Sequence, residues 1–178
     1  MLYPKLKSFS LLELVISISI IATLVILGVS AFRYYREVSI FNNFLYTTVN
    51  LLKDTRLKSI VAFRMSLNQN KPDVYFVQFD NQRKLLKQLV YFSTSTQVEE
   101  IITMNYFPQL DINVQCNNNT YTYLGFRYKT AEVVLSQTNL SESTIVPLHN
   151  LICYIYLSNN FIGQNKIIEV SKQNIRLI

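Results

Sequence analysis

Cys116, Cys153 and His149 are the whole stock of thiol and imidazole in this 178-residue chain. A zinc site of ordinary make-up needs more such ligands, so no metal is expected. His149 stands four residues before Cys153. A nucleophilic thiol also needs its base oriented by a third group, and nothing in the spacing supplies one. A histidine between Leu148 and Asn150 reads instead as a loop residue. With no catalytic constellation elsewhere, the chain is expected not to be an enzyme and to hold no cofactor.

The remaining conspicuous residue is Glu13, a carboxylate at the head of an apolar stretch. Leu14 to Phe32 is a run of nineteen residues without a charge, in a chain with 49% hydrophobic and only 16% charged residues. At 1.5 Å per helical residue the run is about 28 Å long, close to the ~30 Å hydrocarbon thickness of a bilayer. In lipid the backbone must satisfy itself, so a single span has to be a helix. A buried core helix is the competing reading, but the run exceeds the usual length of one. Lys5 and Lys7 precede the run, favouring a cytoplasmic N-terminus, while Arg33 and Arg36 flank its other end. A carboxylate at membrane depth costs up to a few kcal/mol. Glu13 therefore needs either the solvation of the headgroup region or a cationic partner.

The residues upstream suggest that partner. Lys5-Leu6-Lys7-Ser8-Phe9-Ser10-Leu11-Leu12-Glu13-Leu14 resembles the type IV prepilin signal, a basic leader ending in a small residue before a Phe. The resemblance implies cleavage between Ser8 and Phe9 by a prepilin peptidase and N-methylation of Phe9. Glu13 then lies four residues from the new amine, one helical turn away. It can neutralise its own amine or that of a neighbouring subunit in a filament, which offsets much of the cost of burial. Ser8 stands where the family usually has Gly. An ordinary secretory signal, cut after Ala31 in Val29-Ser30-Ala31, is the rival reading, but its apolar region would be too long and would start with a Glu.

These elements imply an α+β architecture: residues 1–8 a leader, 9–36 a transmembrane helix, 37–67 its amphipathic continuation and 68–178 an all-β head. Phe41, Phe44, Leu45, Thr48, Val49 and Leu52 recur at helical steps. A helix from Phe9 to Leu67 would be roughly 90 Å long. Beyond Pro72 the period changes to that of strands, expected at Val74–Phe79, Leu85–Phe92, Leu110–Cys116, Tyr121–Tyr128, Glu132–Leu135, Leu151–Leu157 and Lys166–Val170. Cys116 and Cys153 fall in separate expected strands of a domain outside the cytoplasm. A disulfide between them is the expected state there, with two buried thiols as the alternative.

Further matches narrow the resemblance. Leu52-Lys53-Asp54-Thr55-Arg56-Leu57-Lys58-Ser59-Ile60-Val61, Leu124-Gly125-Phe126 and the terminal Val170–Arg176 stretch are similar to the GspH/FimT branch of pilins, with Asn174 and Ile175 where that branch has Gly and its first Arg. The resemblance implies a minor pilin or pseudopilin of a type IV pilus or type II secretion filament. Its partners would be other pilin subunits, the prepilin peptidase and the inner membrane, with the head in the periplasm. The FimT-like side of the branch also implies DNA as a partner. Lys166, Lys172 and Arg176 would contact phosphates and the nearby Tyr154 and Tyr156 would stack on bases, with a second basic patch at Lys53, Arg56 and Lys58. The competing reading leaves these lysines solvated. Net charge supports nucleic acid only weakly: residues 33–90 carry ten Lys/Arg against four Asp/Glu, but residues 91–178 carry five against six.

Overall fold

The computed structural model describes residues 10–61, 72–92, 97–137, 140, 145–147 and 152–178. One long helix, α1 (Leu11–Val61), is followed by eleven strands among the described residues. The chain divides into two units, Met1–Ile40 and Phe41–Ile178. The first contains the N-terminal part of α1, where residues 11–36 are exposed throughout. The second holds the remainder of α1 and every strand. The expected helix end at Leu67 lies outside the described residues.

The strands form two antiparallel sheets. β1 (Val74–Asp80), β2 (Leu85–Phe92), β3 (Gln97–Asn105), β6 (Tyr123–Arg127), β7 (Val133–Ser136) and β8 (Val146–Pro147) make the first, in the order β3-β2-β1-β6-β7-β8. β4 (Leu110–Cys116), β5 (Asn119–Tyr121), β9 (Cys153–Asn159), β10 (Gln164–Val170) and β11 (Ile175–Leu177) make the second, in the order β11-β10-β9-β4-β5. β4 and β5 are joined by Asn117 and Asn118, both with positive φ (50° and 64°). That is the two-residue hairpin geometry asparagine tolerates best after glycine.

The apolar stripe on α1 is the one expected. Phe41, Leu45, Val49 and Leu52 share one buried cluster with Val77 and Leu86 of the first sheet and Ile112, Ile155 and Ile168 of the second. Each such side chain contributes about 1.5–3 kcal/mol of apolar burial. Polar groups fasten the same stretch of helix. Gln88, fully buried on β2, donates to Thr55 Oγ1 (2.8 Å) and Asp54 Oδ2 (3.1 Å) and accepts from Lys58 Nζ (3.0 Å). Burying that amide unpartnered would cost a few kcal/mol, and its three bonds remove the penalty.

One expected strand is corrected. Tyr121–Tyr128 is not one strand: its beginning belongs to β5 in the second sheet and its middle to β6 in the first. The chain changes sheet at Thr122, whose carbonyl accepts the Phe79 amide at 2.9 Å. An aromatic, β-branched run satisfies either sheet, so composition did not reveal the crossing. β3 was not expected. It is an edge strand with most positions exposed, so it lacks the alternation that marks a half-buried strand.

Candidate functional site

Glu13 occupies the third position of α1 and closes a reciprocal cap with Ser10. The Ser10 amide donates to Glu13 Oε2 (3.2 Å), and Ser10 Oγ accepts from the Leu12 amide (3.2 Å). This is the Ser-x-x-Glu capping box, which satisfies donors left over at a helix start. The pattern is legible in Ser10-Leu11-Leu12-Glu13, although Ser10 was not among the expected functional residues. Ser8 and Phe9 lie outside the described residues, as do Lys5 and Lys7.

Downstream of the cap, the helix hides its own polar atoms. The hydroxyls of Ser17, Ser19, Thr23 and Ser30 donate to the carbonyls of Glu13, Val15, Ser19 and Ile26, four residues back, at 2.8–3.1 Å. No side chain from Leu14 to Ala31 then presents an unsatisfied donor to an apolar medium. The run is long and apolar enough to cross a membrane. At its far end come Phe32, Tyr34 and Tyr35, all exposed, alternating with Arg33 and Arg36. Aromatic rings mixed with long cations suit the boundary between hydrocarbon and headgroups.

In the second unit, Cys116 and Cys153 are joined by a disulfide. They are directly paired across β4 and β9. Both are buried, and the bridge closes the end of that ladder. His149 lies outside the described residues, and no group of three metal-ligating side chains occurs among the described residues.

The cations assigned to phosphate contacts are dispersed. Lys166 lies on the face of β10 that carries Ile168 and Val170, whereas Arg176 is paired with Glu169 on the opposite face. The Arg176 guanidinium makes two bonds to that carboxylate, Nε–Oε1 at 3.0 Å and a terminal nitrogen to Oε2 at 3.2 Å, which raises its already high pKa. Lys172 is exposed in the turn between β10 and β11. In the second patch only Lys53 is left to solvent among the described residues. Lys58 pairs with Asp54 at 2.8 Å, and Arg56 donates to the carbonyls of Lys172 (2.6 Å) and Gln173 (3.0 Å). Arg56 thus holds the β10–β11 turn, a role that nothing local in the sequence could signal across 116 residues. Burial pushes the Asp54 carboxyl up, but hydrogen bonds from Lys58 and Gln88 outweigh it and the net shift is downward.

No family model matches the chain, and neither any curated protein nor any solved structure is similar enough to count as a match.

Proposed function

We propose that this chain is a non-catalytic, membrane-anchored subunit of a pilin-like filament, either a type IV pilus or a type II secretion pseudopilus. On this reading a prepilin peptidase cuts between Ser8 and Phe9 and methylates the new amine. The apolar helix then leaves the inner membrane to pack against other subunits, and the disulfide-bonded head stays on the periplasmic side. The observation that carries the reading is Glu13, one carboxylate at the head of an exposed nineteen-residue uncharged run. A cap alone needs no processing signal upstream, whereas the leader ending at Ser8 resembles one whose cleavage would free an amine four residues from Glu13.

Support also comes from the self-satisfied hydroxyls of the helix and from a β head whose core the same helix completes. DNA binding has less behind it, because Arg176 and Arg56 are engaged inside the protein. The test is the N-terminus of protein extracted from membranes of the native bacterium. Mass spectrometry should find N-methylated Phe9 as the first residue. A start at Phe32 would mean an ordinary secretory signal, and an uncut Met1 would remove the maturation step; either result overturns the proposal.

A further inference from the structure

The outward face of the second sheet and the ends of the central strands β1 and β6 of the first border an open cleft of about 1050 Å³. That is just above the roughly 300–1,000 Å³ typical of small-molecule sites. Its floor is regular. Asn113, Tyr156 and Ile167 form one row across β4, β9 and β10, and Asp111, Ser158 and Asn165 form the next row on the same face. One wall comes from the other sheet, where Gln78 and Tyr123 are cross-strand partners. The chain that changes sheet, with Tyr121 and Thr122, completes it.

The chemistry of this lining is one-sided. No lysine or arginine is among its described residues, so it offers no cation to a phosphate. Its two carboxylates are already occupied. Asp80 Oδ1 accepts the amides of Gln82 and Arg83, and Asp111 accepts Lys84 Nζ at 2.6 Å and Asn160 Nδ2 at 2.9 Å. The side-chain carboxamides of Gln78, Asn113 and Asn165 and the Tyr156 hydroxyl, by contrast, have no hydrogen-bond partner among the described residues. Tyr156 is 37% exposed on the sheet floor, with its ring inclined to that of Tyr154 at 6.4 Å between centroids.

Neutral amides pair with hydroxyls as both donors and acceptors. A tyrosine ring on a flat sheet offers an apolar face with a polar rim. A ligand matching both has many hydroxyls, no charge and an apolar face of ring C–H groups. We infer that this cleft binds a neutral oligosaccharide, one sugar ring resting on Tyr156 while its hydroxyls reach Asn113, Asn165 and Gln78. The inference stands on the surface of the head alone and does not depend on the filament reading.

The test uses the full chain in micelles of lauryldimethylamine oxide, a detergent with no sugar headgroup. Maltotriose, cellotriose and N,N′,N″-triacetylchitotriose are titrated in turn by calorimetry and by saturation-transfer NMR. At least one should bind with a dissociation constant on the order of 0.1–1 mM. Tyr156→Ala and Asn113→Ala should each weaken that binding about tenfold or more, Tyr156→Phe should weaken it less, and Lys53→Ala should leave it unchanged. Both cleft residues are exposed, and circular dichroism of each variant checks that the head is still folded. The proposal fails if none of the three sugars binds at about 10 mM, or if binding survives in folded Tyr156→Ala. Displacement of the sugar by a ten-nucleotide oligothymidylate would make the cleft a nucleic-acid site, which also overturns it.

Discussion

Cys116 and Cys153 face each other across β4 and β9 with their Cα atoms 4.5 Å apart, the close spacing of a pair that exchanges no backbone hydrogen bonds. The bridge closes a loop across a sequence separation of 37 residues. In the chain-entropy account such a closure is worth about 4 kcal/mol. Replacing both cysteines by Ser should lower the unfolding free energy of the head by about 2–4 kcal/mol in denaturant titrations. Alkylation of the purified protein should label neither thiol before reduction and both after it.

Gly125 supports the Phe76 ring across the ladder between β1 and β6. A Cβ at position 125 would lie 2.5 Å from Phe76 Cδ1 and 2.8 Å from the Tyr75 carbonyl oxygen. The ring can move, but the carbonyl is part of a paired strand and has little room to give. Gly125→Ala should therefore destabilise the head by about 1–3 kcal/mol, the usual range for overpacking. A loss below about 0.5 kcal/mol in urea unfolding would show that the strands yield more easily than this geometry implies.

Local patterns were legible and distant partnerships were not. The helical stripe of Phe41, Leu45, Val49 and Leu52 follows from spacing alone, because one face of one helix has to be covered. The alternation from Leu110 to Cys116 likewise gave β4. The Ser10–Glu13 cap is also a local pattern, masked in sequence by the stronger charge signal of Glu13 itself. Arg56 and Arg176 show where such reading stops. Both look like free cations in sequence, and only the register of β10 with β11 and the packing of α1 bring Glu169 and the Lys172 and Gln173 carbonyls to them.

Asp111 makes the stability of the head dependent on acid. The hydrogen bond from Lys84 lowers its pKa from the ordinary 3.8, with partial burial opposing and Asn160 assisting. A carboxyl with a depressed folded-state pKa contributes stability that is fully present above its unfolded value and is lost as pH falls through the folded one. The window therefore begins near pH 4 and extends downward. The Asp111 side chain is 46% exposed, so solvent screening limits the pair to about 0.2–1 kcal/mol. Asp111→Asn should cost that much at pH 7 and nothing at pH 2, measured as unfolding midpoints at both values. An equal cost at both would assign the effect to the Asn160 contact rather than to charge.

Glu13 has two roles that a single alanine cannot separate. It caps α1 through the Ser10 amide, and on the proposed maturation it also neutralises the Phe9 amine. Glu13→Gln keeps an acceptor for the cap and removes the charge. Ser10→Ala removes the acceptor for the Leu12 amide and keeps the charge, at a cost of about 1 kcal/mol to the helix start. Membrane insertion should survive both variants, and Glu13→Ala as well, because taking a carboxylate out of an apolar helix lowers its transfer cost. Filament incorporation should divide them. Glu13→Gln and Glu13→Ala should be recovered in membranes but depleted severalfold from sheared filaments, while Ser10→Ala should assemble nearly as well as the parent. If Glu13→Gln assembles normally, the amine needs no charged partner and the carboxylate serves the cap alone.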